Sequence, residues 1–231
     1  MAELLERETF QMLKQSDSKT RESWWLDTHP TACGFAAGFD RQNVLDRSLR
    51  EATERWVMSL WIDEEYIIDT VPKSDVVPNL DPISKFLYDQ FDEIIFYFHE
   101  AIVSIPSGIT SIPIAQTMAI KQGGIFPGSS TQLTGGSYWQ HALVESFRHL
   151  MGYKNNPRRA DRFPDNKVIY FATNADVALR QIERAQHRSW PIAKLLEPKL
   201  LERFGGRAFV ARSLIEGWRS WHEGPLERFL Y

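Results

Sequence analysis

Apolar and polar positions recur at two different periods along this chain, and the changes of period mark its elements. Residues 2–15 (AELLERETFQMLKQ) follow a helical pattern and predict a short surface helix, after which the polar run QSDSKTRES reads as a linker. A long helical pattern begins near residue 43 and runs to about residue 63, with Leu45, Leu49, Ala52, Trp56 and Leu60 forming one apolar stripe. EYIIDTV (65–71) has strand character, 72–82 reads as loop, ISKFLYDQF as helix, and EIIFYFHEAIVSI as one buried strand or two. SIPIAQTMAI (111–120) is a further strand, and KQGGIFPGSSTQLTGG is a glycine-rich loop that opens a second helix over 138–151.

Beyond it come a polar loop (NNPRRADRFPDNK), a strand (VIYFAT), and a helix over 174–187 with Asn174 at its cap. One more helix is expected before the last strand, RAFVARSLI, and the aromatic tail EGWRSWHEGPLERFLY is expected to dock on the body or on a partner. The alternation predicts an α/β class with mixed sheets flanked by helices, in which a small-residue loop followed by an acidic helix occurs twice. The divisions read as 1–28 (helix and linker), 29–217 (the main domain) and 218–231 (the tail).

Composition narrows the possibilities. With 231 residues and 43% hydrophobic content the chain has enough apolar side chain for a large core, and its formal net charge of -3 provides no basic field for a nucleic-acid backbone. Any anion must be caught locally. A single cysteine, Cys33, excludes an internal disulfide and a cysteine-rich zinc cluster and suits a reducing, cytoplasmic setting. No run of about 18 apolar residues occurs and the N-terminus is not a signal sequence, so no membrane association is expected.

The chemistry concentrates between residues 48 and 55. At 3.6 residues per turn, Ser48, Glu51, Glu54 and Arg55 fall on the side of the helix opposite the apolar stripe. Two carboxylates suit magnesium, a hard cation that takes oxygen ligands together with phosphate oxygens, and a guanidinium and a hydroxyl suit the phosphates themselves. Glu51 and Arg55 also have the spacing of an ordinary helix-surface ion pair. The second helix repeats the pattern: ALVESFRH from Ala142 aligns Glu145 with Glu51, and both helices follow a segment, GFAAGFD or FPGSSTQLTGG, able to offer backbone N–H groups to an anion.

These residues resemble the YcaO family. CGFAAGFDRQNVLDRSLREATERW is similar to that family's glycine loop and its Ser-x-x-Glu-x-x-Glu-Arg helix; SIPIAQTMAI, GSSTQL and QHALVESFR resemble its strand, glycine turn and second acidic helix; GGRAFVARSLIEG resembles its late strand ending in arginine, here Arg212. The resemblance covers roughly residues 30–217 and implies a compact member. It implies ATP and Mg2+ as cofactors, with Glu51, Glu54 and Glu145 on the metal and Ser48, Glu51, Glu54, Arg55, Arg148 and Arg212 around ATP. Arg148 stands where the family commonly has glutamine, a charge that either clamps phosphate or displaces metal.

The implied activity is phosphorylation of a backbone amide oxygen in a peptide or protein, opening the carbon to attack. The product is an azoline, a thioamide or an amidine, so the family's cyclodehydratase and thioamidation chemistry in ribosomal-peptide modification both stay open. A leader-binding or sulfur-delivery partner is expected, and oligomers are compatible. The alternative is a non-catalytic relative whose charged helices are salt-bridged and whose aromatic tail docks a partner enzyme.

Other features carry less. The six histidines are scattered without a HExxH pattern, and RxxxxR-type likeness to a Nudix box fails because position 42 is Gln and position 36 is Ala. Cys33 is expected to pack, and Trp24, Trp25, Trp218 and Trp221 to anchor core or interface.

Overall fold

The computed structural model describes residues 1–131, 137–155, 167–220, 223, 225, 228 and 229. Its elements are α1 (Ala2–Lys14), α2 (Ser18–Ser23), β1 (Phe35–Gly38), α3 (Arg41–Asp63), β2 (Asp69–Val71), α4 (Lys73–Val76), a 3-10 turn (Val77–Asn79), α5 (Pro82–Tyr88), β3 (Glu93–Ile105), β4 (Gly108–Lys121), β5 (Gly124–Ser130), α6 (Trp139–Asn155), α7 (Lys167–Phe171), α8 (Ala175–Ile182), β6 (Ala193–Lys194), β7 (Lys199–Arg203) and β8 (Ala208–Arg212). The chain divides into two compact units, and α3, β3 and β4 each run from one into the other.

The first unit comprises Met1–Val57, Ile102–Ile112 and Pro191–Ser220. Its sheet has the order β1-β8-β7, antiparallel throughout, with Phe35 opposite Arg212 and Leu201 opposite Val210. Strand alternation sends Phe35, Ala37, Ala208 and Val210 to one face, where they pack with Leu5, Phe10 and Leu13 of α1 and with Trp24 and Leu26. Ala36 and Ala211 point the other way, onto Val44 of α3. The run read as a linker is helix α2, because the Asp17 carboxylate accepts a hydrogen bond from the Thr20 N–H at 2.9 Å and starts a turn. At the far end of β3, Val103 and Ser104 pair in parallel with Ala193 and Lys194 of β6.

The second unit comprises Met58–Ala101, Pro113–Trp190 and Trp221–Tyr231. Its sheet has the order β2-β3-β4-β5. Ile94 and Phe96 of β3, Ala119 of β4 and Phe126 of β5 share a core with Leu143 and Leu150 of α6 and Leu87 of α5. α6 lies against β5 at backbone distance: a Cβ added at Gly128 would stand 2.0 Å from the Ala142 carbonyl oxygen and 2.8 Å from the Ser146 nitrogen. The Thr117 hydroxyl fastens the same junction, 2.9 Å from the Ser146 hydroxyl.

Further sequence expectations change, the loop expected over 72–82 among them, since it holds α4 and the 3-10 turn. GIFPGSS is strand β5 rather than loop, since its small residues are what lets α6 approach. VIYFAT is helical through Phe171, and the stretch expected to be a helix before the last strand holds β6 and β7. Asn174 makes no side-chain cap; its Nδ2 donates to the Tyr170 carbonyl at 2.7 Å instead. Residues 132–136 and 156–166 of the two expected loops, and Trp221 with most of the tail after it, lie outside the described residues. Of the tail, Trp218 is buried and stacks on His29 at 4.9 Å in the first unit, and Phe229 packs on Phe171 at 4.7 Å in the second.

The class is the expected one, mixed α/β with antiparallel sheets flanked by helices. Among the described residues no helix is long and apolar enough to cross a membrane.

Candidate functional site

The charged side of α3 is not a solvated face. Ser48 is fully buried and its hydroxyl lies 2.8 Å from that of Ser213, just past β8, while also donating to the Leu45 carbonyl at 2.9 Å. Gly34 makes this junction possible: its φ is +77°, and a Cβ there would meet the Ser213 carbonyl oxygen at 2.1 Å. Glu54 is 5% exposed. Arg55 sits between the two glutamates, its Nε 3.1 Å from Glu51 Oε1 and its Nη2 3.4 Å from Glu54 Oε1.

The structure thus brings Ser48, Glu51, Glu54 and Arg55 onto one buried-to-half-buried stretch of the first unit. Leu45 and Leu49, expected in the core stripe, are only half-buried and line a groove of about 230 Å³ with Ile105, Ile112 and Leu195.

Two neighbours of Glu51 were not legible in sequence. Cys33 is half-buried within the field of Arg55 and Glu51; burial pushes its thiol up, Arg55 pulls it back and Glu51 adds to the rise. Glu6 arrives on α1, and its carboxyl is pushed up to about 7, first by burial, then by Glu51, with Arg47 opposing. Only a helical heptad could have hinted at Glu6, which falls beside the buried Leu5, Thr9 and Phe10.

Arg212, expected around ATP, is held by backbone carbonyls of the first unit. It is fully buried, its guanidinium lies 4.8 Å from the Phe35 ring centre, and it donates to the carbonyls of Trp24, of His29 at 2.7 Å and of Thr31 at 3.0 Å. Burial brings its pKa down to about 10. Its donors therefore hold the 24–31 segment against β8, while its Nε has no hydrogen-bond partner among the described residues.

In the second unit, Glu145 on α6 is half-buried, and its Oε2 accepts from the Ser129 N–H at 2.7 Å and from the Ser129 hydroxyl at 3.2 Å. Ser129 pairs with Gln116 across β4 and β5. Arg148 is exposed and has no hydrogen-bonded or ion-paired partner among the described residues.

At the start of α3, one of the N–H groups expected to face an anion is taken by the chain itself: Asp40 Oδ1 accepts from the Asn43 N–H at 2.6 Å. Among the described residues no three His, Cys, Asp or Glu side chains form a group that would hold a metal ion. The donor set is nonetheless all oxygen, which by its chemistry fits a hard cation and not zinc.

No sequence-family model and no curated protein matches the chain. Solved structures do. The heterocyclase TruD is similar with a TM-score of 0.50 at 15% identity, over 81% of this chain and 29% of that one. The E. coli microcin synthetase McbBCD complex with pro-MccB17 bound gives 0.54 at 11% identity, over 82% and 55%. A second structure of the McbBCD complex gives 0.55 at 12%, over 82% and 56%. The chain therefore spans between 29% and 56% of the length of these three chains. In architecture, mixed α/β with antiparallel sheets flanked by helices, the chain shares its fold with these heterocyclase and microcin synthetase structures.

Proposed function

We propose that this chain is an ATP- and magnesium-dependent enzyme that phosphorylates a backbone amide oxygen of a peptide or protein, opening the way to an azoline, thioamide or amidine. The observation that carries the reading is the Arg55 guanidinium set between Glu51 and Glu54, with Ser48 locked beside them, on a fold shared with a heterocyclase and a microcin synthetase.

Glu51 and Glu54 in the first unit are proposed magnesium ligands and Glu145 in the second unit is proposed for the same role; magnesium, when bound, would supply charge neutralisation to the phosphates. Arg55 and Arg148 serve as phosphate partners. For Arg55 this means exchanging part of its contact with Glu51 and Glu54 for phosphate oxygens once a cation takes over the carboxylates. Ser48 supports the helix face through Ser213, and Arg212 acts at one remove by fixing the 24–31 segment. Positioning and electrostatics, rather than a covalent nucleophile, carry such a reaction. A peptide or protein substrate and a leader-binding or sulfur-delivery partner belong to the same proposal.

A second reading, a non-catalytic relative that docks a partner enzyme, is favoured by one observation: the two α3 carboxylates are already paired to Arg55. Calorimetric titration with Mg–ATP separates the two. On the enzymatic reading the wild-type chain binds and Glu51→Gln loses about tenfold or more in affinity; on the other, both proteins give the same isotherm.

A further inference from the structure

The two edges of the second unit's sheet differ in chemistry. Glu145 lies along β5, one terminal strand. Beside β2, the opposite terminal strand, is a cavity of about 310 Å³ walled by Trp61, Ile68, Tyr97 and Ile182, with Asp69 and His187 also lining it. That volume is at the floor of the range for ligand pockets, which leaves room for one long side chain and not for a nucleotide.

The walls are held in place. The Trp61 and Tyr97 rings lie 4.8 Å apart at 56°, and Trp190 Nε1 donates to the Ile67 carbonyl at 2.8 Å while its ring packs 4.0 Å from His99. Charge at the cavity is one-sided. Asp69 of the lining and Glu183, next in sequence to the Ile182 wall, are exposed and have no ion-pair partner among the described residues. Their fields reach neighbouring groups: the Tyr97 phenol of the wall is pushed up to about 12, chiefly by burial and then by Glu183, and outside the lining Asp69 partly offsets the burial that takes His99 down to about 4.

Aromatic faces, an aliphatic wall and carboxylates without partners are the complement of a cation carried on an apolar stem. We propose that this cavity binds the lysine or arginine side chain of a peptide, the stem against Ile68 and Ile182 and the charge between the aromatic rings and Asp69. Because β2 ends the sheet, a peptide extended along it presents alternate side chains towards the same face, so one anchoring residue sets the register of the rest. The site goes beyond the nucleotide reading and does not depend on it.

The test uses the whole chain at pH 8, where histidine is uncharged, and low salt. The probes are the N-acetyl methylamides of lysine, arginine and the neutral citrulline, followed by the indole resonance of Trp61. A cationic probe saturates that resonance and citrulline binds about tenfold more weakly. Asp69→Asn, at an exposed position and checked for folding by circular dichroism, removes the preference. Equal binding of all three probes, no response of Trp61 to any of them, or a preference that survives in the Asp69→Asn protein overturns the proposal.

Discussion

Glu6 is remote from Glu51 in sequence, yet α1 carries it into that carboxylate's field, and the consequence is measurable as a pH effect on stability. Its folded pKa of about 7 stands above the ordinary carboxylate value, so the folded state holds a proton that the unfolded chain releases. The associated stability is full below the unfolded pKa and is lost as pH rises through about 7. Glu6→Gln is therefore expected to be more stable than wild type at pH 8, by roughly 1–2 kcal/mol after allowance for partial exposure, and to match it near pH 4. Urea melts of the pair across that range check it; a difference independent of pH contradicts it.

Arg212 supplies a second expectation at the same scale. With its guanidinium holding three carbonyls and stacked on Phe35, Arg212→Met leaves buried acceptors unsatisfied and costs about 3 kcal/mol in denaturant unfolding. Arg212→Lys recovers only part of it, because one ammonium cannot span the fork. Individual residues were legible where local spacing fixes them, as with Ser48, Glu51, Glu54 and Arg55 on one helix. They were not where a remote segment decides: nothing near position 212 shows that Trp24, His29 and Thr31 present carbonyls to it, and nothing near position 51 announces Glu6 or Cys33.

At the scale of elements, α3, β3 and β4 follow from long, strongly periodic patterns, and the structure holds them within a few residues of the expected ends. Short apolar runs fared differently. VIYFAT has the branched and aromatic composition of a strand but is helical through Phe171, and a run of five or six residues has too few turns for its period to discriminate. GIFPGSS looks like loop because glycine, proline and serine punctuate loops elsewhere, yet here small side chains mark a strand pressed against a helix.

Glycine at two positions in these elements should behave in opposite ways. Gly128→Ala drives a methyl into the Ala142 carbonyl and forces α6 off β5, at a cost of about 2–3 kcal/mol. Gly152→Ala, in α6 with nothing within 4 Å of the new methyl, gains roughly 0.5–1 kcal/mol from helix propensity. Thermal unfolding of the two variants against wild type measures both signs; a harmless Gly128→Ala would mean that α6 and β5 are not in backbone contact.

For the molecule as a whole, a formal charge of -3 leaves anion capture to local clusters, and the Glu54–Arg55–Glu51 group of the first unit, net negative by itself, is proposed to serve as one only with a cation bound. Calorimetric titration of the whole chain with ATP, in magnesium and again with magnesium chelated, tests the central claim most directly when run on wild type, Glu51→Gln and Glu145→Gln. The account predicts saturable, magnesium-dependent heat for wild type and a loss of about tenfold or more in affinity for each variant. Heat that persists without magnesium, or unchanged affinity in both glutamine variants, would contradict it.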